Sequence, residues 1–242
     1  MPGPDARLDR QLTGYAADVR DTLGAHLVSI VLYGSAAGED FVAARSDVNT
    51  AIVVRAVSTA VLGALASLMP TWRRRGFALP LVVDEEFFER AQDVFPMELD
   101  DMRRSHRTLF GPDPLDGLAV DRAQLRRQCE QEARGKLLRL RALYLDAAAR
   151  TQDLERLLVE SAKTFLVILR HVIHLRGDEA PHGYADVLAA GERFLGPLPA
   201  LHRVLAHRSG RTRLGRAEVR EEFARYLGDA ERIAAAVDTL HA

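Results

Sequence analysis

The sequence predicts an α+β chain, a small domain of strands and helices followed by a C-terminal helical bundle, and three observations carry that expectation. Two short runs rich in β-branched residues, VSIVLYG and VNTAIVV, lie in the first half among helix-period segments. The segment FGPDPLDG, between about Phe110 and Val120, holds two prolines and two glycines and marks a break in character. Everything after it is helical by pattern. The expected division is residues 1–116 and 117–242.

The elements follow in order. Leu8 to Leu27 reads as an amphipathic helix, with Leu8, Leu12, Tyr15, Val19 and Leu23 near a 3.6-residue period and Gly24 able to end it. VSIVLYG is a first strand and VNTAIVV a second, and the small, polar stretch GSAAGEDFVAARSD joins them as a loop suited to a ligand. Thr59 to Arg75 suits a helix that stops at Gly76. Phe77 to Val83 is a third strand, at an edge or bulge because of Pro80. Asp84 to Ala91 is a short helix whose DEE favours the positive end of the dipole. Phe95 to Arg103 reads as a fourth strand, an acidic one. In the second half Asp121 caps a helix to about Ala149, and a second runs from Leu154 to Leu175. Shorter helices follow at Tyr184–Phe194 and Leu198–His207. The last spans Arg216 to Leu240, with Val219, Phe223, Leu227, Ala230, Ala234 and Val237 on one apolar face.

Composition excludes several classes. The 242 residues carry 33 basic and 34 acidic side chains and a net charge of -1, which disfavours a nucleic-acid-coating protein. The single Cys129 excludes an intramolecular disulfide framework and a Cys-rich zinc site. The start lacks the apolar core of a secretory signal, and no stretch is apolar enough to span a membrane. A cytoplasmic protein is expected, and the Arg and Ala bias points to a bacterial source. Lys136 and Lys163 are the lysines; the remaining basic residues are arginines, so phosphate handling would rest on guanidinium groups and backbone amides.

The informative constellation is Leu32-Tyr33-Gly34-Ser35, then eleven residues, then Asp47-Val48-Asn49. A Gly-Ser turn past a strand lets backbone N–H groups approach a phosphate. Asp47 and Asn49, two apart at the start of the next strand, face the same way. Oxygen ligands so placed suit a hard divalent cation shared with a triphosphate. Glu98, then Asp100, are the candidates for a third carboxylate, on the expectation that both share one face of the Phe95–Arg103 strand. Arg103 and Lys163 are candidate nucleotide contacts. His171, His174 and His182 lie near one another in sequence, yet no carboxylate or cysteine sits at a zinc-ligand spacing.

These residues resemble the nucleotidyltransferase superfamily that includes DNA polymerase β and the aminoglycoside nucleotidyltransferases. The family motif is two hydrophobic residues, Gly-Ser, a spacer of similar length and Asp-x-Asp entering a strand; Leu32, Tyr33, Gly34, Ser35 and Asp47 match it. The resemblance covers roughly residues 12–116 and implies a mixed sheet flanked by helices. It also implies ATP or another nucleoside triphosphate over the Gly-Ser turn, Mg²⁺ held by Asp47, Asn49 and Glu98, and nucleotidyl transfer to a hydroxyl of a small molecule or protein. The order of catalytic domain and bundle is similar to the antibiotic-modifying branch. Asn49 departs from the motif: a neutral amide replaces the second Asp and weakens the hold on a cation. The alternative is therefore a nucleotidyltransferase-fold protein that binds nucleotide or protein without chemistry. The apolar face of the last helix is a candidate homodimer surface.

Overall fold

The computed structural model describes residues 4–38, 47–181, 183–215 and 217–240, so the linker between Gly38 and Asp47, His182 and Arg216 lie outside the described residues. The chain separates into two compact units, Met1–Val120 and Asp121–Ala242.

In the first unit α1 (Pro4–Leu23) ends where Gly24 turns to φ +52°, earlier than the apolar period suggests. It lays Leu8, Leu12, Tyr15 and Val19 against the sheet. Strands β1 (Leu27–Tyr33) and β2 (Asn49–Val54) fall where the β-branched runs place them. Helix α2 (Thr59–Arg74) starts under a Ser58 cap, whose Oγ accepts from the Val61 N–H at 3.2 Å. The third strand is shorter than expected. β3 is Leu81–Asp84, and Phe77 makes only an isolated bridge to Val48, since Pro80 has no N–H for a ladder. A single turn, α3 (Phe87–Arg90), follows.

The acidic fourth strand is corrected. Residues Pro96–Arg104 form helix α4, and the fourth strand is β4 (His106–Phe110), which ends where the segment read as a break begins. The reason is local. FPMELDDMRR lacks β-branched residues, Pro96 opens the helix, Glu98 lies in its first turn and Arg103 and Arg104 in its last. Leu99 and Met102, three apart, then share a buried face.

The sheet order is β3-β2-β1-β4. β1 runs antiparallel to β2 and β4, and β2 runs parallel to β3, so the sheet is mixed. Strand alternation gives it two cores. Ile30, Leu32, Ile52 and Val54 pack with α1 and α2. Val31, Ala51, Val53 and Val83 pack with Phe88, Leu99, Met102 and Leu115 on the other face.

The second unit is helical: α5 (Arg122–Ala147), α6 (Thr151–Leu175), α7 (Tyr184–Leu195), α8 (Pro199–Arg208) and α9 (Val219–Asp238). Asp121 caps α5, accepting from Gln124 N–H at 2.8 Å. Val219, Phe223, Tyr226, Ala230, Ile233 and Val237 of α9 are buried inside this unit, with Tyr226 in the place expected for Leu227. The apolar face offered as a dimer surface is thus covered within the bundle itself. No described helix is long and apolar enough to cross a membrane.

Candidate active site

The antiparallel register brings the two halves of the motif together. Tyr33, the last residue of β1, pairs with Asn49, the first of β2. The turn Gly34–Ala37 leaves β1 as one short 3₁₀ coil, and Gly34 adopts φ +75°. A Cβ built on Gly34 would stand 3.4 Å from the Asn49 side-chain amide. Gly34 therefore serves twice: it takes a left-handed backbone conformation and leaves room for Asn49. Ser35 and Asp47 are exposed, Asn49 is half-buried and Val48 between them is buried.

A residue missed in the sequence fastens this turn. Ser105, between α4 and β4, accepts the Gly34 N–H on its carbonyl at 3.0 Å. Its hydroxyl donates to the Gly34 carbonyl at 3.1 Å. The Gly34 N–H is thus committed within the fold. A lone serine after an arginine pair carries no spacing signal; only the pairing of β4 with β1, Tyr33 opposite His106, brings it here.

On the other side of Asp47–Asn49 the parallel strand supplies a second clasp. Val48 N–H donates to the Gly76 carbonyl at 2.9 Å, and Ala78 N–H donates to the Val48 carbonyl at 3.0 Å. Beneath it Tyr15 and Thr50 share a hydroxyl hydrogen bond of 2.9 Å. Burial pushes the Tyr15 phenol up to about 12, with the Thr50 hydrogen bond opposing, so it stays neutral and structural. Burial also raises the Tyr33 phenol, which fits packing rather than chemistry.

The other candidates are placed differently. On a helix, residues two apart diverge, so Glu98 and Asp100 do not share a face. Asp100 is buried and holds Arg104 Nε at 2.9 Å and Arg103 at 3.4 Å. Its charge is balanced within α4, which argues against a role as metal ligand or base. Glu98 is exposed in the first turn of α4, and roughly 9 Å of helix separates it from Arg104, next to the Ser105 clasp. The reading of both as carboxylates on a strand is therefore overturned. Asp84 pairs with Val54 at the far end of β2 and holds Arg90 at 2.8 Å. Arg103 is at the clasp end. Lys163 is exposed on α6, in the second unit, and the cluster built within the first unit does not include it.

Among the described residues no three carboxylate, histidine or cysteine side chains gather into a metal-binding group. Among the described residues, the start of β2 and the two residues before it offer one carboxylate, Asp47, and one amide oxygen, Asn49. Mg²⁺ is commonly held by one or two carboxylates plus substrate phosphates and water. Among the described residues, this donor set fits a single ion shared with a triphosphate.

No family model and no curated protein matches the chain. A solved structure does. Spectinomycin adenyltransferase AAD(9) from Enterococcus faecialis, crystallised with ATP and spectinomycin, superposes with a TM-score of 0.55 at 14% identity. The match covers 92% of this chain and 98% of that one. The chain shares the fold of that structure. Identity at this level speaks to architecture alone. Nucleotide, acceptor and residue roles rest on the geometry above.

Proposed function

We propose that this protein is a nucleotidyltransferase that moves a nucleoside monophosphate from ATP or another nucleoside triphosphate to a hydroxyl of a small molecule or protein. Residues 1–116 would form the nucleotidyltransferase-like domain and 117–242 the helical bundle domain. The observation that carries the reading is the placing of Gly34-Ser35 directly beside Asn49, on the strand that Asp47 leads into. The solved adenyltransferase, which has the same fold and holds ATP, supports it.

Each residue then has a task. The exposed Ser35 hydroxyl donates to a phosphate oxygen, and Arg103 adds a guanidinium at the same end of the sheet. Asp47 and the Asn49 amide oxygen would hold Mg²⁺, which when bound screens the charge of the triphosphate. The acceptor oxygen attacks the α-phosphorus in line, the new O–P bond forms, and the bond to the leaving pyrophosphate breaks. The hydroxyl proton passes to solvent. One specific observation favours a second reading, nucleotide binding without transfer: Asn49 supplies no charge, and among the described residues no group of three carboxylate, histidine or cysteine side chains gathers to hold a metal.

The test is pyrophosphate release from Mg²⁺-ATP in the presence of a panel of hydroxyl compounds. The transferase reading expects release that depends on an acceptor and falls at least a hundredfold in Asp47→Asn. Saturable ATP binding with no release for any acceptor would move the conclusion to the second reading.

A further inference from the structure

One charged feature of the first unit has no part in the mechanism so far. Arg73, Arg74 and Arg75 end α2 as an exposed run. Among the described residues no carboxylate pairs with any of them, whereas Arg90, Arg103, Arg104 and Arg107 all hold acids. A solvated run of this kind is ordinary at a helix C-terminus, where cations meet the dipole. Its position is not ordinary. The next residue is Gly76, whose carbonyl takes the Val48 N–H, and Val48 stands between Asp47 and Asn49. The run is therefore one hydrogen bond from the motif.

The run is also rigidly seated. Trp72, just before it, is buried and donates its indole N–H to Asp18 at 3.1 Å. Trp72, Phe77 and Tyr15 form an aromatic triad with ring centroids 4.6 to 5.3 Å apart. The Arg75 guanidinium lies 4.5 Å over the Trp72 ring. The turn from Trp72 to Phe77 is pinned from below while Arg73 and Arg74 remain exposed.

The sheet topology then gives the site a charge order. At one end of the sheet stand, in spatial sequence, Arg103–Ser105 before β4, the Gly34-Ser35 turn after β1, Asp47–Asn49 at the start of β2, and Arg73–Gly76 ahead of β3. The acidic run Asp84-Glu85-Glu86 is at the other end. Arginines thus flank the motif on both sides.

We infer that the Arg73–Arg74 flank is the acceptor subsite, and that the acceptor is a small hydroxyl compound carrying a phosphate monoester. This rests on the nucleotide reading above: with the triphosphate on the Gly34-Ser35 and Arg103 side, the second arginine group is left for the other substrate. Guanidinium forks match phosphate oxygens in pairs. A cationic acceptor such as an aminocyclitol would meet like charge here.

The test titrates the full chain with ribose 5-phosphate and glycerol 3-phosphate, with ribose and glycerol as unphosphorylated parents, and separately with ATP. The inference expects saturable binding of the phosphates and none of the parents. Arg73→Gln/Arg74→Gln should weaken phosphate binding at least tenfold and leave ATP affinity within twofold. Arg55→Gln/Arg90→Gln, which removes the same charge at the opposite end of β2, should leave both unchanged. The thermal midpoint checks that each variant folds. Equal binding of phosphates and parents, equal loss in the far-end variant, or equal loss of ATP would overturn it. So would tight binding of a short single-stranded RNA in place of the monoesters. Phosphate binding that survives while ATP fails to bind would sustain the subsite and sink the nucleotide reading, so the two failures are distinguishable.

Discussion

Gly34 shows how a single residue sets the chemistry available around it. Its φ of +75° costs an L-residue about 1–2 kcal/mol, while a Cβ would only come into ordinary contact with the Asn49 amide at 3.4 Å. Gly34→Ala should lower stability by about 1–2 kcal/mol in denaturant titration. The motif residues were legible in the sequence because a strand, a turn and a second strand fix their mutual placing through alternation and register. Ser105 and Arg73–Arg75 were not. Their relation to the motif passes through long-range backbone hydrogen bonds, Ser105 to Gly34 and Gly76 to Val48, and no local pattern encodes such partners. Asp100 misled for a related reason. A strand would have aimed it with Glu98, whereas the helix buries it against its own arginines.

Elements with strong periodicity were read well: α1, α2 and the helices of the second unit, together with β1 and β2. The acidic segment failed because its composition was weighed less than its place in the strand order. Pro96 and the i,i+3 pair Leu99 and Met102 were the overlooked signs of a helix. β4 was hidden by the glycines and prolines that follow it. The short helices are held by specific clasps. Glu192 at the end of α7 accepts the Leu198 N–H at 2.6 Å and His202 Nε2 at 2.9 Å, which fixes the entry to α8. Burial pulls the Glu192 pKa up, but these hydrogen bonds and the charges of His202 and Arg232 outweigh it and hold the carboxyl below the usual range. A carboxyl lowered on folding adds stability above its unfolded pKa, and that stability is lost as pH falls through the folded value. Glu192→Gln should therefore cost about 1–2 kcal/mol at neutral pH, and the difference from the parent should shrink on acidification below the usual carboxylate pKa.

Over the whole molecule, near-zero net charge conceals segregation. In the first unit Arg73–Arg75 and Arg103–Arg104 lie in the segments on either side of Asp47–Asn49, and the run Asp84-Glu85-Glu86 lies at the other end of the sheet, so overall neutrality does not argue against an anionic ligand. Cys129 reports on the second unit: it is buried in α5, and burial with the nearby Glu132 charge pushes its thiol up to about 12. It should resist alkylation in the folded protein at neutral pH and react only as α5 opens, a rate readable by mass spectrometry with added denaturant. The central claim is that the Gly34-Ser35 turn and the Asp47–Asn49 strand start together hold a metal-bound nucleotide. The most direct measurement is an ATP titration with and without Mg²⁺, in the parent and in Asp47→Asn. Affinity at least tenfold higher with Mg²⁺ is expected, with this gain lost in Asp47→Asn while the variant stays folded. ATP binding indifferent to both Mg²⁺ and Asp47, or no saturable binding at all, would contradict it.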